Sequence, residues 1–394
     1  MTSLSESYAE TPIARVEFYS SVAGERLWGE LCEELTRLGF PSTIVAAVKP
    51  QDYRGAKSKA ARLWLRWRLT GGFALACAFR LLRARWSRSP LPVIRVVTTN
   101  PFFLPAWVEF FSSGRDRTVH LLFDLYPEAL LTAGWTKRGS VLARIIARIT
   151  RRTLRRCDAT VFLGRRIEEH VSRVHARAPL SAVIPVGSGG ALFREKRPQV
   201  VPKDRPVTVL YAGVMGRMHD VDTIAGVLAS GLPTGLRLKA HATGRGAEWL
   251  RTQPGSDQVA WGGALADAEW ERTMNEAAVG LITLSTGAER VAMPSKTYSA
   301  FVAGQAVLAV CQKDSDLAAL VREHDCGWVV EPGDVAGLRS TLELIASDRE
   351  LLHAKRERAF AAGHAHYAMA PVAERWAELF GRMEHSRKSS LAPR

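Results

Sequence analysis

The stretch LYAGVMGRMHDVDTIAGVL, residues 210–228, decides the fold. An apolar run ends in a turn holding Gly213 and Gly216, and a helical pattern follows. Strand, glycine turn and helix in that order are the repeating unit of a parallel α/β sheet. Glycine at the turn lets backbone N–H groups approach an anion closely, and Arg217 adds a forked cation there. Taken alone, such a turn is equally well a plain βα connection.

The same rhythm extends in both directions. Before it lie IARVEFYS, STIVAAV, VIRVVTT, VHLLFD and ATVFLG, and with it come VTVLYAG, LRLKAHATG, VAWGG, VGLITL, AVLAV and GWVVEPGD. Each is a short apolar or β-branched run, usually followed by a helix pattern, which predicts two doubly wound parallel sheets. Residues 182–206, rich in Pro, Gly and charge, break the rhythm as a linker would. The expected organisation is a first domain over 1–195 and a second over 196–365. Residues 366–394 form a helix returning toward the first domain and a frayed tail. Ligands are expected in the cleft at the strand C-terminal ends.

Composition narrows the classes. Of 394 residues 47% are apolar, enough for full cores. The five cysteines are scattered with no C-x-x-C pair, which argues against a disulfide framework or a zinc site and for a reducing compartment. No secretory signal opens the sequence, and no apolar run reaches the ~18–20 residues that span a bilayer. Net charge is +15, placed unevenly: residues 1–195 hold 30 Lys and Arg against 16 Asp and Glu, leaving the rest almost neutral. A polyanionic partner is therefore expected for the first half only.

Further loops in the second half fit a nucleotide diphosphate. Gly244 and Arg245 follow one strand, and Gly263, Ala264 and Leu265 follow the next, where free backbone can meet a base edge. Pro294, Ser295 and Lys296 open the helix KTYSAFVAG, where a hydroxyl can cap the helix or touch phosphate and an ammonium can neutralise it. In the first half Gly24, Glu25, Asn100 and Asp124 end strands. Asp124, in DLYPE, suits sugar hydroxyls or a helix N-cap equally.

Between Asp52 and Glu109 no acidic residue occurs, while eleven basic ones do. Within this run Leu63, Trp64 and Trp67 share one side of a predicted helix, with Lys59, Arg62 and Arg66 nearby. Tryptophan flanked by cations is the pattern of a helix lying in a membrane interface. Packing under loops and nucleic-acid binding are the rival readings, but no nucleic-acid module is recognisable.

Taken together, DLYPE, VIPVGSGGALF, YAGVMGR, VAWGGAL, PSKTYSAFVAGQAVLAV and GWVVEPGD resemble the retaining GT-B glycosyltransferases of family 4, in the subset building bacterial surface polysaccharides. The resemblance implies two Rossmann-like domains facing a cleft, 1–195 binding the acceptor and 196–365 the nucleotide sugar, and sugar transfer from a nucleotide diphosphate sugar with retained configuration. It implies no cofactor or metal, and catalytic roles for Arg217, Lys296 and Asp124. The acceptor is expected to be a polyprenyl-diphosphate-linked or other glycan, with the protein cytoplasmic and peripheral on the inner face of the cytoplasmic membrane, bound to no nucleic acid. The chain departs from the family's E-x(7)-E pattern: Val291 and Ser299 occupy those positions, and Glu289 lies two residues before the first. Asp222 stands where many relatives carry a second lysine. A non-catalytic sugar-nucleotide binder and a nucleotide-sugar epimerase of the same fold share these features.

Overall fold

The computed structural model describes residues 14–22, 25–48, 59–86, 91–113, 115–189 and 197–391. Two compact units result. One holds residues 1–131, 136–185 and 369–394; the other holds 132–135 and 186–368.

The first unit is built on a parallel six-stranded sheet, ordered β2-β1-β3-β4-β5-β6. Its strands are β1 (Arg15–Val22), β2 (Ser42–Val48), β3 (Val93–Thr98), β4 (Arg117–Leu122), β5 (Ala159–Phe162) and β6 (Ser181–Val183). The first five are the apolar runs of the sequence. The sixth is three residues long and opens the stretch expected to be linker, too short to read among its prolines. β3 is buried along its whole length, as a central parallel strand covered by helices on both faces must be. The helix Phe73–Trp86 buries Phe73, Cys77 and Leu81 against Tyr19 of β1 and Val97 of β3. Burial of each such large side chain contributes about 1.5–3 kcal/mol. The last helix, Met369–Leu391, belongs to this unit. Trp376 sets its ring edge-on to Phe18 at 5.9 Å, and Phe380 meets Phe40 at 5.4 Å.

The second unit carries another parallel six-stranded sheet, ordered β12-β11-β10-β7-β8-β9. These are β7 (Val207–Val214), β8 (Leu236–Thr243), β9 (Val259–Gly262), β10 (Val279–Thr283), β11 (Ala306–Val310) and β12 (Gly327–Val330). The chain moves from β7 outward to β8 and β9, then crosses to β10 on the other side. The sheet's switch point thus lies between β7 and β10, where open α/β sheets bind ligands at the strand C-terminal ends. Among the described residues no helix is long and apolar enough to cross a membrane.

Candidate functional site

The second unit concentrates its polar chemistry at that switch point. β7 delivers Tyr211, three residues before its end, and the turn after it delivers Gly216, Arg217 and His219. Gly213 adopts φ +126°, a conformation L side chains rarely take, so the strand can turn there only on glycine. Lys296 opens the helix Lys296–Val302 and sends its ammonium back over β7. Nζ donates to the Tyr211 hydroxyl at 2.7 Å and lies 4.0 Å from the Tyr211 ring centroid. The Tyr211 hydroxyl in turn donates to the Val214 carbonyl at 3.0 Å.

His219 completes the cluster. Its Nδ1 accepts the Gly216 N–H at 3.0 Å, which places the ring proton on Nε2. That Nε2 lies 3.3 Å from Lys296 Nζ. An Nε2–H facing the nitrogen is compatible with a neutral amine whose lone pair accepts it. The electrostatics agree. Burial lowers Lys296 to about 7, and burial with the neighbouring Lys296 lowers His219 to about 3. The result is a lysine poised to take up a proton near neutral pH, beside a neutral imidazole and a glycine turn, and so to pair with an arriving anion. Tyr211 and His219 escaped the sequence reading. A strand aromatic and a turn histidine carry no signal of their own until Lys296 is placed against them.

Arg217 sits on the same turn, is exposed, and donates from Nη1 to the Ala133 carbonyl at 2.9 Å, in the turn 132–135 of the same unit. Asp222 opens the helix Asp222–Ala229, while Asp220 accepts the Thr223 N–H at 3.1 Å. Ser285, after β10, ties the two loops together by donating its N–H to the Met218 carbonyl at 2.9 Å.

The other donor-side residues divide between packing and free surface. Gly244 and Gly246 bring the next turn onto β7's loop: a Cβ on Gly246 would meet the Met215 carbonyl oxygen at 2.8 Å, and its N–H already donates to that oxygen. Arg245, between them, is exposed at the start of its helix. Gly263 and Ala264 are exposed and Leu265 half-buried in the loop after β9. Ser295 makes no side-chain cap, because the N–H groups of Thr297 and Tyr298 are taken by the Pro294 and Ser295 carbonyls. Its exposed hydroxyl is left for other contacts, while Pro294 is buried. Ser299 pairs its hydroxyl with Ser188 at 3.0 Å, and Val291 is buried. Glu289 folds onto its own turn, accepting the Gly287 N–H at 2.6 Å.

In the first unit Asn100 and Asp124 follow the neighbouring strands β3 and β4, and the Asp124 N–H donates to Thr99 Oγ1 at 3.1 Å. Asn100 is exposed. The Asp124 carboxylate does not cap the helix Glu128–Thr132, whose first N–H groups are held by the Leu125 and Pro127 carbonyls. Burial raises its pKa, as for a carboxyl shielded from water. Gly24 lies outside the described residues. Glu25 begins the helix Glu25–Arg37, its side chain outside them.

The predicted interfacial helix spans Lys59–Trp67. Leu63, Trp64 and Trp67 are large apolar side chains left exposed, and Arg66 is exposed beside them. The side chains of Lys59 and Arg62 lie outside the described residues.

Two parallel α/β units of this winding, with glycine turns at the strand C-terminal ends of the second, define the GT-B fold, and the chain has that fold. Among solved structures it is similar to a sucrose-phosphate synthase from Thermosynechococcus elongatus. The TM-score is 0.70 at 16% identity, covering 95% of this chain and all of that one. It is also similar to Anabaena HepE in complex with UDP and glucose, with a TM-score of 0.67 at 13% identity, covering 94% of this chain and all of that one. No family model matches the sequence. Among curated proteins it is 26% identical over 238 residues to "Probable glycosyltransferase WbjE" of Pseudomonas aeruginosa, covering 58% of this chain. The chain spans 59% of that relative's length.

Proposed function

We propose that this protein is a retaining glycosyltransferase that moves a sugar from a nucleotide diphosphate sugar to a lipid-linked glycan acceptor in bacterial surface-polysaccharide synthesis. The observation carrying the proposal is the Lys296–Tyr211–His219 cluster over the glycine turn of β7. A diphosphate leaving group gains charge as the glycosidic bond breaks. A cation already aimed at it, in a site poor in water, lowers that barrier most. Lys296 supplies this cation once protonated, His219 Nε2–H orients the phosphate oxygens, and Arg217 adds a mobile charge at the rim. This electrostatic stabilisation requires neither a metal ion nor a protein nucleophile.

Several features support this reading. HepE, of the same fold, holds UDP and glucose. The DLYPE and PSK motifs resemble the surface-polysaccharide subset of family 4. Asp124, shielded and not spent as a cap, would hold an acceptor hydroxyl, with Asn100 beside it. The exposed Trp64 and Trp67, in the cationic half of the chain, would bring the protein to an anionic membrane where a polyprenyl-linked acceptor resides.

A thermal-shift screen with UDP, GDP and their sugars tests the donor. A nucleotide at 100 times its dissociation constant should stabilise the second unit by about 2.7 kcal/mol. A flat response to every nucleoside diphosphate would refute a nucleotide-sugar site.

A further inference from the structure

The exposed apolar surface of the first unit does not end at Trp67. Chain 59–86 runs as one continuous helix: α-helical over Lys59–Trp67, π-helical over Arg68–Gly72 and α-helical again over Phe73–Trp86. Large apolar side chains remain exposed along all of it: Leu63, Trp64 and Trp67 before the π turn, and Leu75, Phe79, Leu82 and Trp86 after it. Trp86 is 87% exposed and Phe79 69%. The opposite side holds Leu65, Phe73, Cys77 and Leu81, all buried.

The π turn makes these two halves one line. At about 100° per residue, an unbroken α-helix would set Leu75 about 120° round from Leu63. A π turn holds one extra residue, which returns Leu75 to within about 20° of Leu63 and Phe79 to the same angle from Trp67. The buried side is brought into register by the same residue. Local chemistry accounts for the turn. Thr70 Oγ1 donates to the Arg66 carbonyl at 2.7 Å, competing with the helical ladder. Gly71 and Gly72 give the Trp67 indole room: a Cβ on Gly72 would meet that ring at 3.1 Å. The outcome is an apolar line about 35 Å long.

Arginines flank the line on both sides, Arg66 and Arg85 on one, Arg68 and Arg83 on the other, and the helix contains no acidic residue. Arg68 lies over the Trp64 ring, 5.0 Å from its centroid. Apposing two copies along this line would set arginine rows against each other. An anionic lipid surface meets both elements at once, with acyl chains under the apolar line and headgroups beside the guanidinium groups.

We propose that the helix 59–86 lies lengthwise in an anionic lipid monolayer, inserting Leu75, Phe79, Leu82 and Trp86 along with Leu63, Trp64 and Trp67, the π turn holding the seven in one line. This deepens the membrane reading above and rests on it.

The test places an environment-sensitive fluorophore at residue 79 of the full chain through Phe79→Cys. Labelling is selective, since all five native cysteines are buried and burial pushes their thiols up. Vesicles of phosphatidylcholine with phosphatidylglycerol are added, with and without lipid-borne quencher. The expected result is a blue shift, quenching from within the bilayer, and at least a tenfold loss of vesicle partition in the Leu75→Ser, Phe79→Ser, Leu82→Ser triple variant. If the protein floats with vesicles while the label at residue 79 stays in water, the lengthwise insertion is wrong and the membrane reading survives through another surface. If nothing floats, both fail, and nucleotide binding stands on its own screen. A blue shift that needs only higher protein concentration would assign the line to a second copy and overturn the proposal.

Discussion

Lys296→Ala is expected to lower sugar transfer about 10²–10³-fold, the loss typical when a charge-stabilising group is removed from a transition state. The fold should survive, because the Tyr211 hydroxyl keeps its bond to the Val214 carbonyl and the sheet behind it is untouched. The same group predicts a pH dependence of donor affinity. In the free protein burial lowers Lys296 to about 7. A bound diphosphate favours the ammonium and raises that value, so binding takes up a proton whenever the free amine is neutral. Below pH 7 the ammonium is already present and affinity is flat. Above it, affinity for a nucleotide sugar should fall by up to tenfold per pH unit until the bound-state value is reached. Lys296→Arg, charged throughout, should flatten the profile. Calorimetric titration in buffers of different ionisation enthalpy reads both the affinity and the proton uptake. A pH-independent affinity with no uptake would refute the neutral-amine description.

Glu17→Ala is expected to destabilise the first unit by about 3–5 kcal/mol, the cost of breaking a buried ion pair from one side. Glu17 stands on β1, between β2 and β3, with its carboxylate 2.7 Å from Arg15, 2.8 Å from Arg80, 2.8 Å from the Tyr19 hydroxyl and 3.8 Å from Arg95. Arg15 and Arg80 are nearly half exposed and lose little when set free. Arg95 decides the magnitude, since its side chain is 3% exposed and, among the described residues, Asp116 at 2.6 Å is the carboxylate partner it keeps. Burial pushes the Glu17 carboxyl up, but the hydrogen bonds from Arg80 and Tyr19 and the charges of Arg80 and Arg95 outweigh it and hold the group below its ordinary 4.5. A carboxyl lowered in the folded state stabilises above its unfolded value, and that contribution is lost as the pH falls through the folded one. Wild type should therefore lose stability below about pH 4 more steeply than Glu17→Ala. The melting temperature of the first unit should drop by roughly 6–20 °C in the variant. A shift under 2 °C would mean that Arg95 is satisfied without Glu17.

The sheets were legible because parallel strands buried on both faces read as unbroken apolar runs; VIRVVTT and AVLAV could hardly be anything else. β6 was not, being three residues among prolines. The exposed face of Leu63, Trp64 and Trp67 could be placed by helical spacing alone. Its continuation to Trp86 could not, because a uniform α-helical angle rotates Leu75 away from the line, and the π turn at Arg68–Gly72 restores it. Lys296 was readable from PSK as a cation near a strand end. Its engagement with Tyr211 and His219 was not, since the residues lie some 80 positions apart and meet only because β7 and β10 are neighbours. Ser295 looked like an N-cap, and short-range carbonyl bonds at Thr297 and Tyr298 made the cap unnecessary. Gly244 and Arg245 were readable as a turn after a strand, but not that the neighbouring Gly246 spends its N–H on the Met215 carbonyl.

The most direct test of sugar transfer mixes purified protein with radiolabelled nucleotide sugars and bacterial membrane extract, then separates lipid, nucleotide and free-sugar products. The expected result is label in the lipid phase with one donor, abolished by Lys296→Ala and retained by a variant remote from the site such as Glu343→Gln. Label appearing instead in an isomeric nucleotide or free sugar would make the protein an epimerase, and tight nucleotide binding with no labelled product under any donor would contradict transfer altogether.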